Sequence, residues 1–392
     1  MTRPLSRRAA LHWLGAAATA SAFVPARLAL AAPSRSQDPL GPRLVVVMLR
    51  GALDGLAAVP ALGDAAWSGL RGDADAAAGK AVPVPAPLRL DATFGLHPSL
   101  TNLHAWYGQQ ELLVVHATAS PYRERSHFDA QQLLESGGDK PFALNTGWLG
   151  RALQATGKPA IALAAAMPLA LRGADGASTW TPDRRKESDP DLMARVSQMY
   201  RDDPQLAAAL GQAMGQQDMT MGAEPGAGFS GLARQAGSFL ADPKGPRVAW
   251  LEAGGWDTHT NQVSRLTRLL TGLDDGLGAL REGLGVHWAQ TTVLVMTEFG
   301  RSAAYNGTGG TDHGTGGVAF LAGGNVTGGK VLADWPGLAT GQLLDGRDLK
   351  PTLDLRSVIG PVLQRQFALS TAQLQSVVLP GVGKPTLNFW RT

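Results

Sequence analysis

The chain has 392 residues, 44% of them hydrophobic and only 17% charged, enough apolar material for one large buried core or two ordinary ones and too little charge for a disordered polyelectrolyte. It contains no cysteine, which excludes a disulfide framework, a thiolate metal site, an iron–sulfur cluster and a thiol nucleophile. The net charge of +3 arises at the N-terminus: residues 1–31 hold Arg3, Arg7, Arg8 and Arg27 and no acid, and without them 31 basic residues face 32 acidic ones, so no nucleic-acid surface is expected.

The first element is an address. Ser6-Arg7-Arg8 precedes an Ala-rich apolar run from Ala9 to Val24, and Ala29-Leu30-Ala31 supplies small residues at a cleavage point. The paired arginines are the mark of twin-arginine export, so residues 1–31 are expected to leave a periplasmic or secreted protein with no membrane span. Residues 32–42 form a tether, and 43–392 are expected to fold as a single α/β domain.

Leu44–Leu49 is an unbroken apolar run bounded by Pro42 and Gly51, the pattern of a strand buried on both faces. A helix is predicted over Leu100–Tyr107, and Leu112–His116 forms a second buried strand. The next helix starts near Ser126 and stops at Gly137-Gly138, and another covers Trp148–Thr156. Residues 157–245 change character and are expected to cap or extend the sheet. They carry strand-like pieces at Ala160–Leu163 and Leu169–Leu171, a polar stretch Asp183–Asp191, a helix around Leu192–Met214 and a loop Gln216–Gly228. The sheet pattern resumes with a strand at Arg247–Glu252, an amphipathic helix Val263–Leu284, strands Thr291–Thr297 and Val318–Leu321, and closing helices Leu355–Phe367 and Thr371–Val378. Buried strands alternating with helices predict a mainly parallel sheet covered on both faces.

Polar groups gather beyond the carboxyl ends of these strands, where open α/β sheets bind ligands. Arg50-Gly-Ala-Leu-Asp54-Gly55 follows the first strand, and Gly255-Trp-Asp257-Thr-His259 follows Arg247–Glu252. Glu298-Phe-Gly-Arg301 follows Thr291–Thr297, and Thr311-Asp312-His313-Gly314 precedes the strand at 318. Each group alone has an ordinary explanation: Asp54 and Asp257 as helix caps, Glu298 and Arg301 as a surface ion pair, His259 and His313 as loop histidines. Together, acids and imidazoles without sulfur suit Zn²⁺ or Mn²⁺, with Mg²⁺ or Ca²⁺ at an oxygen-rich second position. Two such ions roughly 4 Å apart would clamp an in-line displacement at phosphorus or sulfur.

These motifs, with Arg125-Ser126-His127-Phe128, occur in an order that resembles the exported bacterial proteins of domain-of-unknown-function family 1501, within the alkaline-phosphatase-like superfamily of phosphatases, phosphodiesterases and sulfatases. The resemblance covers roughly residues 43–380. It implies an alkaline-phosphatase-like fold and a ligand set drawn from Asp54, Asp257, His259, Glu298 and His313, with Asp312 as a ligand or as the group orienting His313. The superfamily's Asp-His pair is Glu298-Phe299 here, so one imidazole is missing and its place would fall to His127 or Asp312. Ser126 stands where a nucleophile is expected, although a helix N-cap completed by Asp129 is an equal reading. Arg125 and Arg301 would hold substrate oxyanions. Without cysteine there is no formylglycine precursor, which disfavours an ordinary sulfatase mechanism. The expected function is therefore a metal-dependent hydrolase or transferase acting on a small-molecule, glycan or lipid phosphate or sulfate ester, with Ser126 or a metal-bound water as nucleophile. The alternatives are a non-catalytic binding or assembly factor of the cell envelope, or other metal-assisted chemistry on an exported sugar or protein; the sequence names no protein partner.

Overall fold

In the computed structural model the described residues are 41–71, 86–182, 228–384 and 386–391, with single positions at 196, 199, 200 and 210. The expected signal, nearly all of the tether, the polar stretch 183–191, the helix 192–214 and the loop 216–228 lie outside them, apart from those single positions and Gly228.

The long apolar runs form strands because no surface helix could bury every residue of so short a segment. In chain order these elements are β1 (Arg43–Leu49), α1 (Gly55–Ala58), α2 (Trp67–Arg71), β2 (Leu88–Arg89), β3 (Gly95–Leu96), α3 (Thr101–Gly108), β4 (Leu112–Ala119), α4 (His127–Ser136), α5 (Trp148–Thr156), β5 (Ala160–Leu163) and β6 (Ala177–Thr179). They continue with α6 (Gly228–Ala241), β7 (Val248–Ala253), α7 (Gln262–Leu284), β8 (Thr291–Thr297), β9 (Gly317–Ala322), β10 (Lys330–Leu332), β11 (Leu353–Asp354), α8 (Leu355–Phe367) and α9 (Thr371–Gln373). Among the described residues the main sheet has the order β10-β4-β9-β8-β1-β7-β5-β6, with β11 also on β4, while β2 and β3 form a separate hairpin. All its pairings are parallel except those of β9 with β4 and β8.

Side chains of β1 alternate between two cores. Val45, Val47 and Leu49 join Leu266, Leu270, Leu273 and Leu277 of α7 on one face. Leu44, Val46 and Met48 join Leu149, Leu153, Val358 and Ile359 of α5 and α8 on the other. Each of these aliphatic side chains contributes about 1.5–3 kcal/mol on burial, so both faces hold the sheet. Within 157–245, β5 and β6 add to the sheet beyond β7, and α6 packs on α7.

Three details differ from the sequence pattern. Leu169–Leu171 is a 3₁₀ turn after Pro168, not a strand; four residues between Pro168 and the left-handed Gly173 leave no room for a ladder. Thr371–Val378 is one α-turn followed by a π-turn. Helix α6 was hidden by its glycines, yet one of them is what allows its contact: a Cβ on Gly237 would lie 2.6 Å from the Leu280 carbonyl.

His116, wholly buried on β4, shows how the core constrains protonation. Its Nε2–H donates to the Val59 carbonyl at 3.0 Å and its Nδ1 accepts from Ala117 N at 2.8 Å, with Phe94 stacked at 5.3 Å. Burial lowers its pKa to about 4, and His97 is lowered to about 4 by the same cause. The unfolded chain takes up these protons near pH 6.5 while the folded one does not until about pH 4, so stability falls as pH drops through that window. His116 accounts for up to about 3 kcal/mol of that fall. Urea melts in chelator at pH 7 and 4.5 should show a clearly smaller loss in His116→Gln; an equal loss refutes the assignment.

Candidate metal centre

The site forms where four chain segments leave the sheet on one edge. β1, β4, β7 and β8 are mutually parallel and deliver residues 50–54, 120–127, 254–259 and 298–301 to that edge. Because β9 runs antiparallel to β8, the segment that enters it arrives at the same edge. His313 therefore meets residues that an all-parallel sheet would have kept at the opposite end. Its segment is zipped to the one after β8: Gly314 N donates to Gly300 O at 2.9 Å and Ser302 N to Asp312 O at 2.9 Å. After β1 the chain turns at Gly51, whose φ of +117° and approach to Asp257 (a Cβ would lie 2.6 Å from its N) require glycine.

Three side chains, His127, Asp257 and His313, bring donor atoms within 4.8 Å of one another. His127 Nε2 lies 2.9 Å from His313 Nε2 and 3.6 Å from Asp257 Oδ2, and His313 Nε2 lies 3.3 Å from Asp257 Oδ1. His259 stands alongside, its Nε2 3.0 Å from both His313 Nε2 and Asp257 Oδ1.

The other ring nitrogens decide what these atoms can do. His127 Nδ1 is 2.8 Å from Glu298 Oε1, His259 Nδ1 is 3.2 Å from Asp312 Oδ1, and His313 Nδ1 is 3.0 Å from the Arg125 carbonyl. Carboxylates and carbonyls only accept, so each Nδ1 carries the proton and each Nε2 presents a lone pair. Three imidazole lone pairs and a carboxylate facing one another repel unless a cation joins them. Zinc–nitrogen bonds of 2.0–2.1 Å set neighbouring tetrahedral ligands ~3.4 Å apart, close to the spacings here. An acid or carbonyl behind each histidine is also the usual support for a metal-binding imidazole.

Charge is tuned in the same sense. Burial would raise the Asp257 pKa, but the Arg301 guanidinium, 2.5 Å from Oδ1, outweighs it and holds the carboxyl below its ordinary range. The Glu298 hydrogen bond raises the His127 pKa, while burial and the neighbouring His127 lower that of His313. A hydrogen bond from Asn306 lowers that of Asp312.

Not all the expected residues join this cluster. Glu298 is wholly buried behind His127; Oε1 accepts from His127, Gly51 N and Gln131, and the Thr297 hydroxyl lies 2.9 Å from Oε2. Asp312 stands behind His259. Asp54 is not brought to the cluster at all: it caps α1 through Ala57 N and pairs with Arg71. Arg301 is buried and grips Asp257, Thr311 Oγ1 and the Thr311 carbonyl. Arg125, left-handed at φ +61°, turns its carbonyl to His313 while Asp348 holds its guanidinium at 2.7 Å. His127 joins the cluster beside Phe299, whose ring packs against it at 4.8 Å. Ser126 occupies the N-cap position of α4 but makes no capping hydrogen bond, and Asp129 accepts instead from the Tyr122 hydroxyl. Arg71, Gln131, Gln262, Asn306 and Asp348 were missed; no motif marks them, and all but Asn306, six residues from Asp312, act through partners 17 or more residues away.

Glu298→Gln should separate support from ligation. The amide oxygen can still accept from His127 but carries no negative charge behind its Nδ1, lowering Zn²⁺ affinity by about 10–100-fold while leaving one ion bindable at high concentration. Chelator competition reads this directly; unchanged affinity would show that the Glu298 contact does not matter.

No curated protein matches the sequence. Among solved structures, the chain is similar to the alkaline phosphatase from the Antarctic bacterium TAB5, with 12% identity, 72% of this chain and 92% of that one covered, and a TM-score of 0.36. It is similar to the lipoteichoic acid synthase LtaP from Listeria monocytogenes, with 10% identity, 84% and 73% covered, and a TM-score of 0.39. It is also similar to the zinc complex of the C-terminal periplasmic domain of EcEptC from Escherichia coli, with 11% identity, 72% and 73% covered, and a TM-score of 0.37. Residues 42–378 match the family described as "Protein of unknown function (DUF1501)", and the chain belongs to that family.

Proposed function

We propose that this is an exported, metal-dependent hydrolase or transferase that acts on a phosphate or sulfate ester of a small molecule, glycan or lipid. The observation that carries the reading is the convergence of the His127, His259 and His313 lone pairs on Asp257, each imidazole anchored through Nδ1. A divalent cation held there, Zn²⁺ or Mn²⁺ by its donor set, supplies Lewis acidity toward an ester oxygen. Ser126 stands at the start of a ten-residue helix with its hydroxyl turned to Tyr122 rather than to the helix, and first-turn N–H groups without a side-chain cap suit an anionic substrate. Arg301 keeps Asp257 ionised and fixed. Export follows the twin-arginine route that Arg7-Arg8 marks. Among the described residues no helix is long and apolar enough to cross a membrane.

Metal analysis of purified protein, beside turnover of aryl phosphate, phosphodiester and aryl sulfate with and without chelator, tests the reading. Bound ion and chelator-sensitive turnover support it. Bound ion with no turnover on any of the three would favour the binding factor. Ser126→Ala should lower turnover by about 10²-fold or more with metal content intact; retained turnover would assign the attack to water.

A further inference from the structure

The alkaline-phosphatase resemblance implies two cations, one of them held with the help of Asp54. The surroundings of Asp54 do not fit a metal ion. Its side chain is 1% exposed, and its two oxygens face four donors. Oδ2 accepts from Arg71 Nη1 at 2.7 Å and Gln262 Nε2 at 2.6 Å; Oδ1 accepts from Arg71 Nη2 at 3.2 Å and Ala57 N at 3.1 Å. A carboxylate offers about four lone-pair sites, and all are taken. Arg71 is equally committed: its Nε donates to the Ala303 carbonyl, Nη2 also donates to Ser302 O at 2.8 Å, and the Tyr305 ring covers the guanidinium at 4.7 Å. An ion entering here would have to expel a buried guanidinium that cannot lose its charge.

This pair belongs to the same polar assembly as the metal centre. Gln262, which holds Asp54, accepts from the Thr258 hydroxyl at 2.7 Å and the Thr311 hydroxyl at 2.6 Å, and Arg301 reaches from Thr311 to Asp257. Among the described residues, one group of three or more potential ligands converges, and Asp54 is not in it.

We infer that the protein holds one divalent ion, at His127, Asp257 and His313 with His259 alongside, and that the Arg71 guanidinium is the built-in cation where a second ion would sit beside Asp54. The inference rests on the metal-binding part of the proposed function but not on its ester chemistry. The fixed charge at Arg71 survives chelation and does not titrate, so only one positive centre of this assembly is exchangeable.

Purified protein, stripped by chelator and titrated with Zn²⁺ alone, is read by calorimetry and by elemental analysis. One equivalent per chain is expected, still one in Asp54→Asn, and no tightly bound ion in His313→Ala. Two equivalents in the wild type, or loss of the ion in folded Asp54→Asn, would overturn the inference. Should Asp54→Asn fail to fold, His313→Ala decides: a tight equivalent remaining there reveals a second site and overturns it. Two ions with turnover sinks this inference alone, one ion without turnover sinks the ester reading alone, and no ion sinks both.

Discussion

His313→Ala is expected to weaken Zn²⁺ binding by about 10²–10³-fold and to remove turnover. Tetrahedral zinc sites bind with about 10–16 kcal/mol, or about 2.5–4 kcal/mol for each of four ligands, and 1.4 kcal/mol is a factor of ten. His313 is the residue whose loss should approach that share. Its Nε2 is the shared neighbour of His127 Nε2, His259 Nε2 and Asp257 Oδ1, at 2.9, 3.0 and 3.3 Å. No other imidazole in the cluster touches all the rest. The fold should tolerate the change, because the segment is held by backbone bonds to residues 300 and 302 and by Arg347, which donates to the His313 carbonyl at 2.9 Å. The variant should therefore melt like chelator-treated wild type and lose the extra stabilisation that Zn²⁺ gives the wild type. His104→Ala, which removes a ring bonded among the described residues only to the Arg89 carbonyl, is the control and should leave affinity unchanged. Equal Zn²⁺ affinity in His313→Ala and wild type would refute the proposed centre.

The residues of this centre were legible because each sits in a short polar cluster next to an apolar run, Asp257 and His259 just past one, His313 just before one and His127 in the segment that follows β4. Their grouping was less so. β1, β4 and β8 declare themselves by unbroken apolar runs, but an apolar run has no direction, and only the reversed pairing of β9 brings His313 to the edge occupied by His127 and Asp257. Roles were harder still. Glu298 and Asp257 both follow strands and both look like ligands, yet Glu298 lies one layer deeper, enclosed by Gly51, Gln131 and His127. Ser126 combines N-cap chemistry with N-cap backbone geometry, and only the missing capping bond shows that its hydroxyl is not spent on the helix. Arg71 was invisible, since it ends a five-residue helix in a stretch without clear periodicity and its partner is a side chain already assigned elsewhere.

Breaking the Asp54–Arg71 pair should give the largest loss of stability, and the two halves should not be equivalent. Asp54→Ala leaves a guanidinium, 1% exposed, facing a void with Gln262, and Arg cannot discharge itself by losing a proton. Removing one partner of a buried pair costs about 3–5 kcal/mol, a fall of about 10²–10³-fold or more in the folded-to-unfolded ratio. Arg71→Ala orphans a carboxylate instead, and a carboxylate can take up a proton. Its penalty should therefore shrink as the solution is acidified, whereas that of Asp54→Ala should not. Arg71 also loses bonds to the Ser302 and Ala303 carbonyls, which are left without that donor and keep the cost above zero at every pH. The double variant Asp54→Leu/Arg71→Met removes both charges and should recover a good part of the loss, since apolar replacement of a buried ion pair is often neutral. Denaturant unfolding of the two single variants and of Asp54→Ala/Arg71→Ala at pH 7 and pH 5 yields the coupling energy as a double-mutant cycle, and Asp54→Leu/Arg71→Met beside them measures the apolar replacement. Two single variants with the same cost at both pH values would show that the pair is not sealed from water, and the case against a second ion at Asp54 would fall with it.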